Sequence, residues 1–198
     1  MLKGESFRLN RLYLRDQKID SMFLVQIMQM AEGFVSISFV NCIFPMRLPT
    51  AKKSFNKLNS LVIIKCKGIP RMLVNSLATA TDLEALVVSG ASFEVDPLSV
   101  WKFGALRTLI VHGEVILTNA LHAVLRQRSP SLEIVSLPVL STGHAELVPY
   151  LKRTLQDSVY LSTDPNDPVI AGLLGSCIRS SPEAASSVDG NADPTCPG

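Results

Sequence analysis

The residues that could support catalysis are few and scattered along the chain. The three histidines are His112, His122 and His144. No serine, cysteine or acidic residue stands at a spacing that marks a Ser–His–Asp or Cys–His arrangement for nucleophilic catalysis. The sequence also lacks a glycine-rich loop of the kind that cradles a phosphate. The pattern therefore predicts a protein that is not an enzyme and that binds no cofactor.

The four cysteines are the next candidates for chemistry: Cys42, Cys66, Cys177 and Cys196. None belongs to a C-x-x-C pair, and Cys42 and Cys66 are 24 residues apart. Without further ligands at zinc-like spacing we expect no metal site, but buried thiols that fill space or hydrogen-bond to loop backbone. The absence of C-x-x-C pairs and the absence of an N-x-S/T acceptor together favour a reducing compartment, the cytoplasm or the nucleus.

One stretch, from residue 47 to residue 81, contains basic residues and no Asp or Glu. The basic residues are Arg47, Lys52, Lys53, Lys57, Lys65, Lys67 and Arg71. Such a run can attract an acidic protein segment or can simply be a solvated face. The aromatic stacking residues and fold motifs of nucleic-acid binding are missing, so we expect no nucleic-acid partner. No apolar stretch approaches the roughly 20 residues of a membrane span, so we expect no membrane association.

The elements that would position these residues follow from a short phrase that recurs along the chain. The phrase has apolar residues at its first, fourth and sixth positions. It reads LNRLYL at Leu9, FVSISF at Phe34, LNSLVI at Leu58, LEALVV at Leu83, LRTLIV at Leu106 and LEIVSL at Leu132. The starts are 25, 24, 25, 23 and 26 residues apart. A degenerate seventh copy starts at Gln156, and its central residue would be Tyr160.

Each phrase has the pattern of a β-strand with one apolar edge. Residues two apart point to the same side of a strand, so the fourth and sixth positions face one core. One copy cannot bury that edge alone, whereas parallel stacking of neighbours closes a continuous core. Some of the segments that connect the copies have the apolar spacing of a helix. Segment 71–79 places Val74 and Leu77 on one face, and segment 19–32 is apolar at Phe23, Leu24, Ile27 and Met30. Asp96–Pro97 and Thr118 or Asn119 would cap further helices.

The phrase extends beyond the strand in a form that is typical of one family. The ninth position holds Cys42 and Cys66, and an apolar residue follows at the eleventh position in four copies: Ile19, Phe44, Phe93 and Ile116. In the third copy Gly68 stands there and Ile69 comes one place late. The whole resembles the leucine-rich-repeat phrase L-x-x-L-x-L-x-x-N/C-x-L.

The stretches LNSLVIIKCKGIPRMLVNSLATATDLEAL and LRTLIVHGEVILTNALHAVLRQRSPSLEIV resemble the cysteine-containing repeats of F-box/leucine-rich-repeat proteins, although Glu114 replaces the cysteine in the second. The resemblance implies an α/β leucine-rich-repeat solenoid, or horseshoe, of about six to seven repeats. Its parallel sheet would line the concave side, and short helices the convex side. We expect this domain to span residues 1–162. Residues 163–198 would form a mostly disordered tail, whose apolar island 169–178 would fold back over the last turn.

In that family the repeats select a target protein, and the F-box docks to a cullin-based ubiquitin ligase through the Skp adaptor. The resemblance therefore implies a protein–protein interaction module for target recognition. This chain shows no F-box segment, so Skp and cullin are expected as partners only if a longer product carries one. The alternative is a free-standing leucine-rich-repeat regulator, although such regulators have longer repeats of about 28 residues. A secreted recognition repeat is a third reading, supported only by Gly68–Ile69–Pro70.

Residues between the apolar positions of each strand would face the concave side. Val62, Val87 and Ile110 would form an apolar stripe across neighbouring strands, with Ile64 beside it, and such a stripe suggests a partner surface. β-branched residues also favour strands in general, so the stripe has a purely structural reading. Aromatic and arginine residues are frequent interface anchors, which adds Tyr13, Arg15 and Arg107, and His112 lies on the same face. The first strand lacks a cap, so the isolated chain is expected to dimerise or aggregate through that end.

Overall fold

The computed structural model describes residues 10–45, 54–91, 93–94, 103–112, 115–116, 131–137, 149, 152–153, 158–164 and 166–179. Within them the chain is an α/β protein built on a seven-stranded parallel sheet. Its strands are β1 (Arg11–Arg15), β2 (Ser36–Val40), β3 (Ser60–Ile64), β4 (Ala85–Ser89), β6 (Thr108–His112), β8 (Ile134–Ser136) and β9 (Tyr160–Ser162). Two short strands, β5 (Phe93–Glu94) and β7 (Val115–Ile116), pair in a second parallel sheet. The predicted parallel sheet is confirmed.

The strands follow one another across the large sheet in chain order, and their register repeats the spacing of the sequence phrase. The central residues Tyr13, Ser38, Val62, Val87, Ile110 and Ser136 are aligned in successive strands. The seventh position differs from the prediction, because Ser136 pairs with Ser162 and not with Tyr160. Leu161, which pairs with Val135, still points to the core. The last strand is therefore displaced by two residues, an offset that preserves which side chains face the core.

The core lies on one side of the sheet and is built from the apolar edge of each strand. Its central row contains Ile37, Leu61, Leu86, Leu109 and Val135, all buried. The residues that open the second to sixth phrases belong to the same cluster: Phe34, Leu58, Leu83, Leu106 and Leu132. This continuous row explains why the strands need one another, since no strand could bury its edge without its neighbours.

A tight turn follows the first four strands and sets the direction of the chain. Asp16, Asn41, Lys65 and Gly90 stand directly after β1, β2, β3 and β4, and all have positive φ, between 53° and 59°. Each donates its backbone N–H to the last residue of the next strand, as Asp16 does to the Val40 carbonyl at 2.9 Å. Asp, Asn and Gly tolerate this left-handed backbone better than most residues.

The helices on the core side are short. Helix α1 (Ser21–Gln29) begins after Asp20, whose carboxylate accepts the Phe23 N–H at 2.7 Å, a typical N-cap. Helix α2 (Arg71–Ser76) continues into a 3-10 turn (Leu77–Thr79), and a further 3-10 turn (Ala31–Gly33) follows α1. The predicted inward face of α2 is confirmed, since Val74 and Leu77 are buried.

The predicted face of α1 is only partly right. Leu24, Ile27 and Met28 are buried, whereas Phe23 and Met30 are among the exposed large hydrophobic residues. The helices expected after Asp96 and after residue 118 lie outside the described residues.

A third helix, α3 (Pro168–Arg179), lies in the segment for which the sequence predicts a mostly disordered tail. It forms because Asp167 caps its first turn and because its apolar residues become buried against the sheet. It does not simply cover the last strand, since its far end reaches β1. In the described part of the chain no helix combines the length and apolarity that crossing a bilayer requires.

Candidate protein-binding face

The side of the sheet opposite the core carries the apolar residues that the sequence singled out. Val62, Ile64, Val87 and Ile110 are all buried there, together with Val40. They form a second apolar cluster, separate from the core, and α3 covers it. We call this side of the sheet the α3 face. Its apolar stripe is thus a contact surface in this structure, although its occupant is a segment of the same chain.

Helix α3 presents one apolar stripe to this face. Ile170 is 0 % exposed, and the half-buried residues that pack with it are Leu173, Leu174, Cys177 and Ile178. These positions follow the i, i+3, i+4, i+7, i+8 spacing of an amphipathic helix. Val169, the neighbour of Ile170, is 49 % exposed on the other side. The spacing therefore orients the helix with one defined side toward the strands.

Polar contacts hold both ends of α3. At the start, the Asp167 carboxylate accepts the backbone N–H groups of Val169 at 2.9 Å and Ile170 at 3.2 Å. Its other oxygen accepts the Tyr160 hydroxyl at 2.7 Å, and this hydrogen bond holds the pKa of Asp167 below its ordinary value. At the far end, the Tyr13 hydroxyl donates to the Ile178 carbonyl at 3.2 Å. Tyrosine side chains thus connect the start of the helix to the last strand of the sheet and its end to the first strand.

His112 lies beside the apolar stripe and is buried. Its Nε2 lies 2.6 Å from the Ser136 hydroxyl oxygen, a hydrogen-bond distance. Burial lowers the pKa of His112, while the negative charge of Asp167 opposes that shift. Ser136 is 0 % exposed beneath these groups, and the Asp167 oxygens bind Tyr160 and the first turn of α3. The two side chains are therefore close enough to form a hydrogen bond, but the Ser136 hydroxyl is buried and a substrate could not reach it in this conformation.

Ser38 supplies a buried hydroxyl group to the α3 face. Ser38 is 9 % exposed and lies between Tyr13 and Val62 in the central row. Its hydroxyl oxygen has no hydrogen-bond partner among the described residues. A buried hydroxyl without a partner carries a desolvation cost of about 1–3 kcal/mol. Ser38 therefore offers this face a hydrogen-bonding group that the described residues do not use.

The predicted arginine anchors lie at the rim of the face and are exposed. Arg107 donates to the Glu133 carboxylate from Nε at 3.0 Å and from Nη2 at 2.6 Å. Arg15 forms an ion pair with Asp16 at 3.2 Å. Both arginines are already engaged by neighbouring carboxylates. Exposed ion pairs of this kind contribute little to stability, which leaves these groups available to exchange partners.

The structure thus brings most of the predicted site residues to one surface. Val62, Ile64, Val87, Ile110 and His112 are covered by α3 or lie beside it; Tyr13 contacts α3, and Arg15 and Arg107 lie at the rim. The sequence analysis missed α3 itself as part of the site. The signal was present, since Asp167–Pro168 is a favourable helix start and the apolar residues after it have helical spacing.

The two buried cysteines play the structural role expected of them. The Cys66 thiol lies 3.4 Å from the carbonyl oxygens of Phe39 and Ile64, and the Cys42 thiol 3.4 Å from that of Leu14. A hydrogen bond with Cys42 and burial raise the pKa of the Cys66 thiol. Both residues are free thiols that satisfy strand-end carbonyls. Among the described residues no group of three His, Cys, Asp or Glu side chains has the arrangement of a metal site.

The basic run is an exposed feature at the described positions. Lys57, Lys65, Lys67 and Arg71 are all exposed, whereas Arg47, Lys52 and Lys53 lie outside the described residues. Lys65 occupies one of the left-handed turns after the strands, so its position is explained by the backbone turn. The run therefore supplies surface charge without a defined pocket at these four residues.

The fold and the site together define a parallel α/β protein with a covered apolar sheet face. Comparisons with protein-family models, with curated proteins and with solved structures gave no match for this chain.

Proposed function

We propose that the chain is a protein–protein interaction module and that its α3 face recognises a segment of another protein. The observation that carries this proposal is the second apolar cluster, in which Val62, Val87 and Ile110 are buried by a helix and not by the core. An apolar stripe of this kind, when uncovered, is typical of a protein interaction site. A surface that takes one helix has the shape and chemistry to take another segment of similar pattern.

The architecture we propose is a leucine-rich-repeat solenoid with the α3 face on its concave side. The in-register strands at the period of the sequence phrase support it, as do the repeated left-handed turns and the stacked thiols of Cys42 and Cys66. The resemblance to F-box/leucine-rich-repeat proteins suggests that the module recognises the target of a ubiquitin ligase. Recruitment of Skp and cullin would require an F-box in a longer product. Free thiols suit a reducing compartment, and we propose the cytoplasm or nucleus.

A second candidate is a free-standing regulator that binds one partner without a ligase. The presence of α3 on the candidate binding face favours a free-standing regulator, because a helix that covers the binding surface allows binding of the partner to be controlled. We propose no catalytic activity for either candidate. The Ser136–His112 pair has an internal role in both, as a polar contact within the face.

The test uses two full-length variants that differ in the state of the face. Leu174→Asp places a charge on the sheet-facing side of α3 and uncovers the face. Adding Val87→Glu to it places a second charge in the centre of the face itself. Tagged chains are isolated from cells with their bound proteins, which are identified by mass spectrometry. Val169→Asp, on the exposed side of α3, is the matched control.

A protein enriched by Leu174→Asp and lost with the additional Val87→Glu supports the proposal. The same set of bound proteins with both variants would contradict it, provided that circular dichroism shows both to be folded. Skp and cullin subunits recovered with a longer product would identify target recognition. One recurring protein without those subunits would identify the free-standing regulator.

A further inference from the structure

We propose that the partner of the α3 face is an amphipathic α-helix and that α3 is its intramolecular competitor. This inference rests on the proposed function and adds to it the class of ligand and the means of control. In the structure α3 occupies the surface that the partner would use. The partner must therefore displace α3 before it can bind.

The structure records how the face accommodates a helix. Helix α3 is linked to β9 at its start and to β1 at its end by tyrosine side chains, and its apolar residues at i, i+3, i+4, i+7 and i+8 meet the stripe of the central strands. At a rise of about 1.5 Å per residue, twelve residues cover roughly 18 Å of the sheet. Three turns of an amphipathic helix are therefore enough to contact most of the apolar stripe. An extended strand would not present residues at this spacing on one side.

Two features make α3 a replaceable occupant. Gly172 and Gly175 lie inside the helix, where each glycine lowers helix stability about fivefold relative to alanine. Neither is required by close packing, since a Cβ at Gly172 would meet no atom within 4 Å. A Cβ at Gly175 would meet only the flexible end of the Arg179 side chain, at 3.4 Å. The two glycines therefore weaken the helix, although the surrounding space would accept alanine at both positions.

The second feature is the hydroxyl of Ser38, which lies between Tyr13 and Val62 in the central row of the α3 face. Its oxygen is buried without a hydrogen-bond partner in the described part of the chain. A partner helix with a hydrogen-bonding side chain opposite Ser38 would remove that cost and bind better than α3 does. The C-terminal end of such a helix would lie beside the Tyr13 hydroxyl, which already contacts the Ile178 carbonyl.

Covalent linkage explains how a weak helix can still cover the face. Only residues 163–167 separate β9 from α3, so the local concentration of α3 at the face is on the order of millimolar. A partner protein in the cell must compete with this local concentration of α3. It succeeds when it is a better helix, when it pairs with Ser38, or when α3 is weakened. The occupancy of the face is thereby adjustable through α3 alone.

The experiment measures binding of a fluorescent peptide, residues 167–179 of this chain, to full-length protein by fluorescence anisotropy. Three chains are compared: the natural one, Leu174→Asp, and the double variant Gly172→Ala/Gly175→Ala. We expect Leu174→Asp to bind the peptide at least about tenfold more tightly than the natural chain, because its own helix no longer competes. The double variant should bind it more weakly than the natural chain, since its α3 is more stable. A peptide with the same two alanines should bind Leu174→Asp about 10–30-fold more tightly than the natural peptide.

Several results would overturn the inference. One is no peptide binding by a folded Leu174→Asp chain whose α3 amides exchange rapidly with solvent. Equal binding by all three chains is another. If Leu174→Asp fails to fold, Leu173→Asp replaces it at the adjacent half-buried position of the same helix. A concentration-dependent dimer of the natural chain that the free peptide dissociates would assign the face to a second copy and overturn a separate partner.

The outcome is distinguishable from that of the proposed function. If the peptide fails to bind while a cellular protein depends on Val87, the face is a binding site for a segment that is not a helix. If the peptide binds as expected and no cellular protein depends on Val87, the face accepts a helix only from its own chain. The first result refutes this inference alone, whereas the second refutes the proposed function and with it the inference of a partner helix.

Discussion

The substitution Ile170→Ala isolates the contribution of the most deeply buried residue of α3. Ile170 is 0 % exposed and belongs to the second apolar cluster, not to the core. Truncation of a buried Ile to Ala typically costs about 2–5 kcal/mol. The higher helix propensity of alanine returns about 0.4 kcal/mol. We therefore expect the docking free energy of α3 to fall by roughly 2–4 kcal/mol, while the free energy of unfolding of the sheet itself changes little.

Amide hydrogen exchange measures this docking directly. An isolated helix of this length is marginal in water, so protection of the α3 amides depends on contact with the sheet. A loss of about 2–4 kcal/mol corresponds to exchange that is roughly 30- to 1000-fold faster, up to the limit set by complete undocking. The control is Val169→Ala, which removes methyl groups from the exposed neighbour of Ile170. It should leave exchange unchanged or slow it slightly. Equal acceleration by both variants would refute the packing of α3 described here.

Further predictions concern the turn after β3 and the ends of α3. Gly68→Ala should lower the free energy of unfolding by about 1–2 kcal/mol in denaturant titration, because φ is +70° and the new Cβ would lie 3.1 Å from the Phe44 carbonyl oxygen. The control Gly33→Ala, where a Cβ would meet open space, should leave the free energy of unfolding unchanged. Burial lowers the pKa of His112, so protonation opposes the folded state. The protection of the α3 amides, expressed relative to their intrinsic exchange rates at each pH, should therefore fall as pH falls below about 6.5. His112→Asn should abolish this loss of protection, and its persistence would exclude this histidine. The hydrogen bond from Tyr160 lowers the pKa of Asp167, so the stability that the Asp167 carboxylate contributes is present at neutral pH and is lost as pH falls through the lowered pKa. At neutral pH Asp167→Ala should accelerate exchange of the α3 amides more than Asp167→Asn does, because asparagine can still cap the helix. The reverse order would argue against capping.

The sheet was predictable because its determinants are local and repeated. Each phrase fixes which residues face the core, and the period fixes the register between Tyr13, Ser38, Val62 and their counterparts. The last strand was harder, since the degenerate copy after Gln156 offers few apolar positions. A shift by two residues preserves the core side of the strand, so the hydrophobic pattern alone cannot exclude it.

The helix on the α3 face could not be predicted with the same ease. Residues 163–198 are rich in Pro, Gly, Ser and Asp, a composition that favours disorder. Helix α3 exists because its apolar side meets the stripe of Val62, Val87 and Ile110, a contact between distant parts of the chain. Composition describes the segment alone, whereas the helix depends on the surface that it covers. The same contact explains why residues expected to be free for a partner are buried in the structure.

The most direct test of the account is the contact between α3 and the sheet in solution. Selective methyl labelling of Ile and Val allows nuclear Overhauser effects to be measured between Ile170 and the strand residues of its cluster, Val62, Val87 and Ile110. The account predicts that cross-peaks link the Ile170 methyl groups to this cluster, and that they disappear in Leu174→Asp while the cross-peaks within the core persist. Ile170 methyl groups at random-coil shifts in the natural chain, with no cross-peak to these strands, would contradict it.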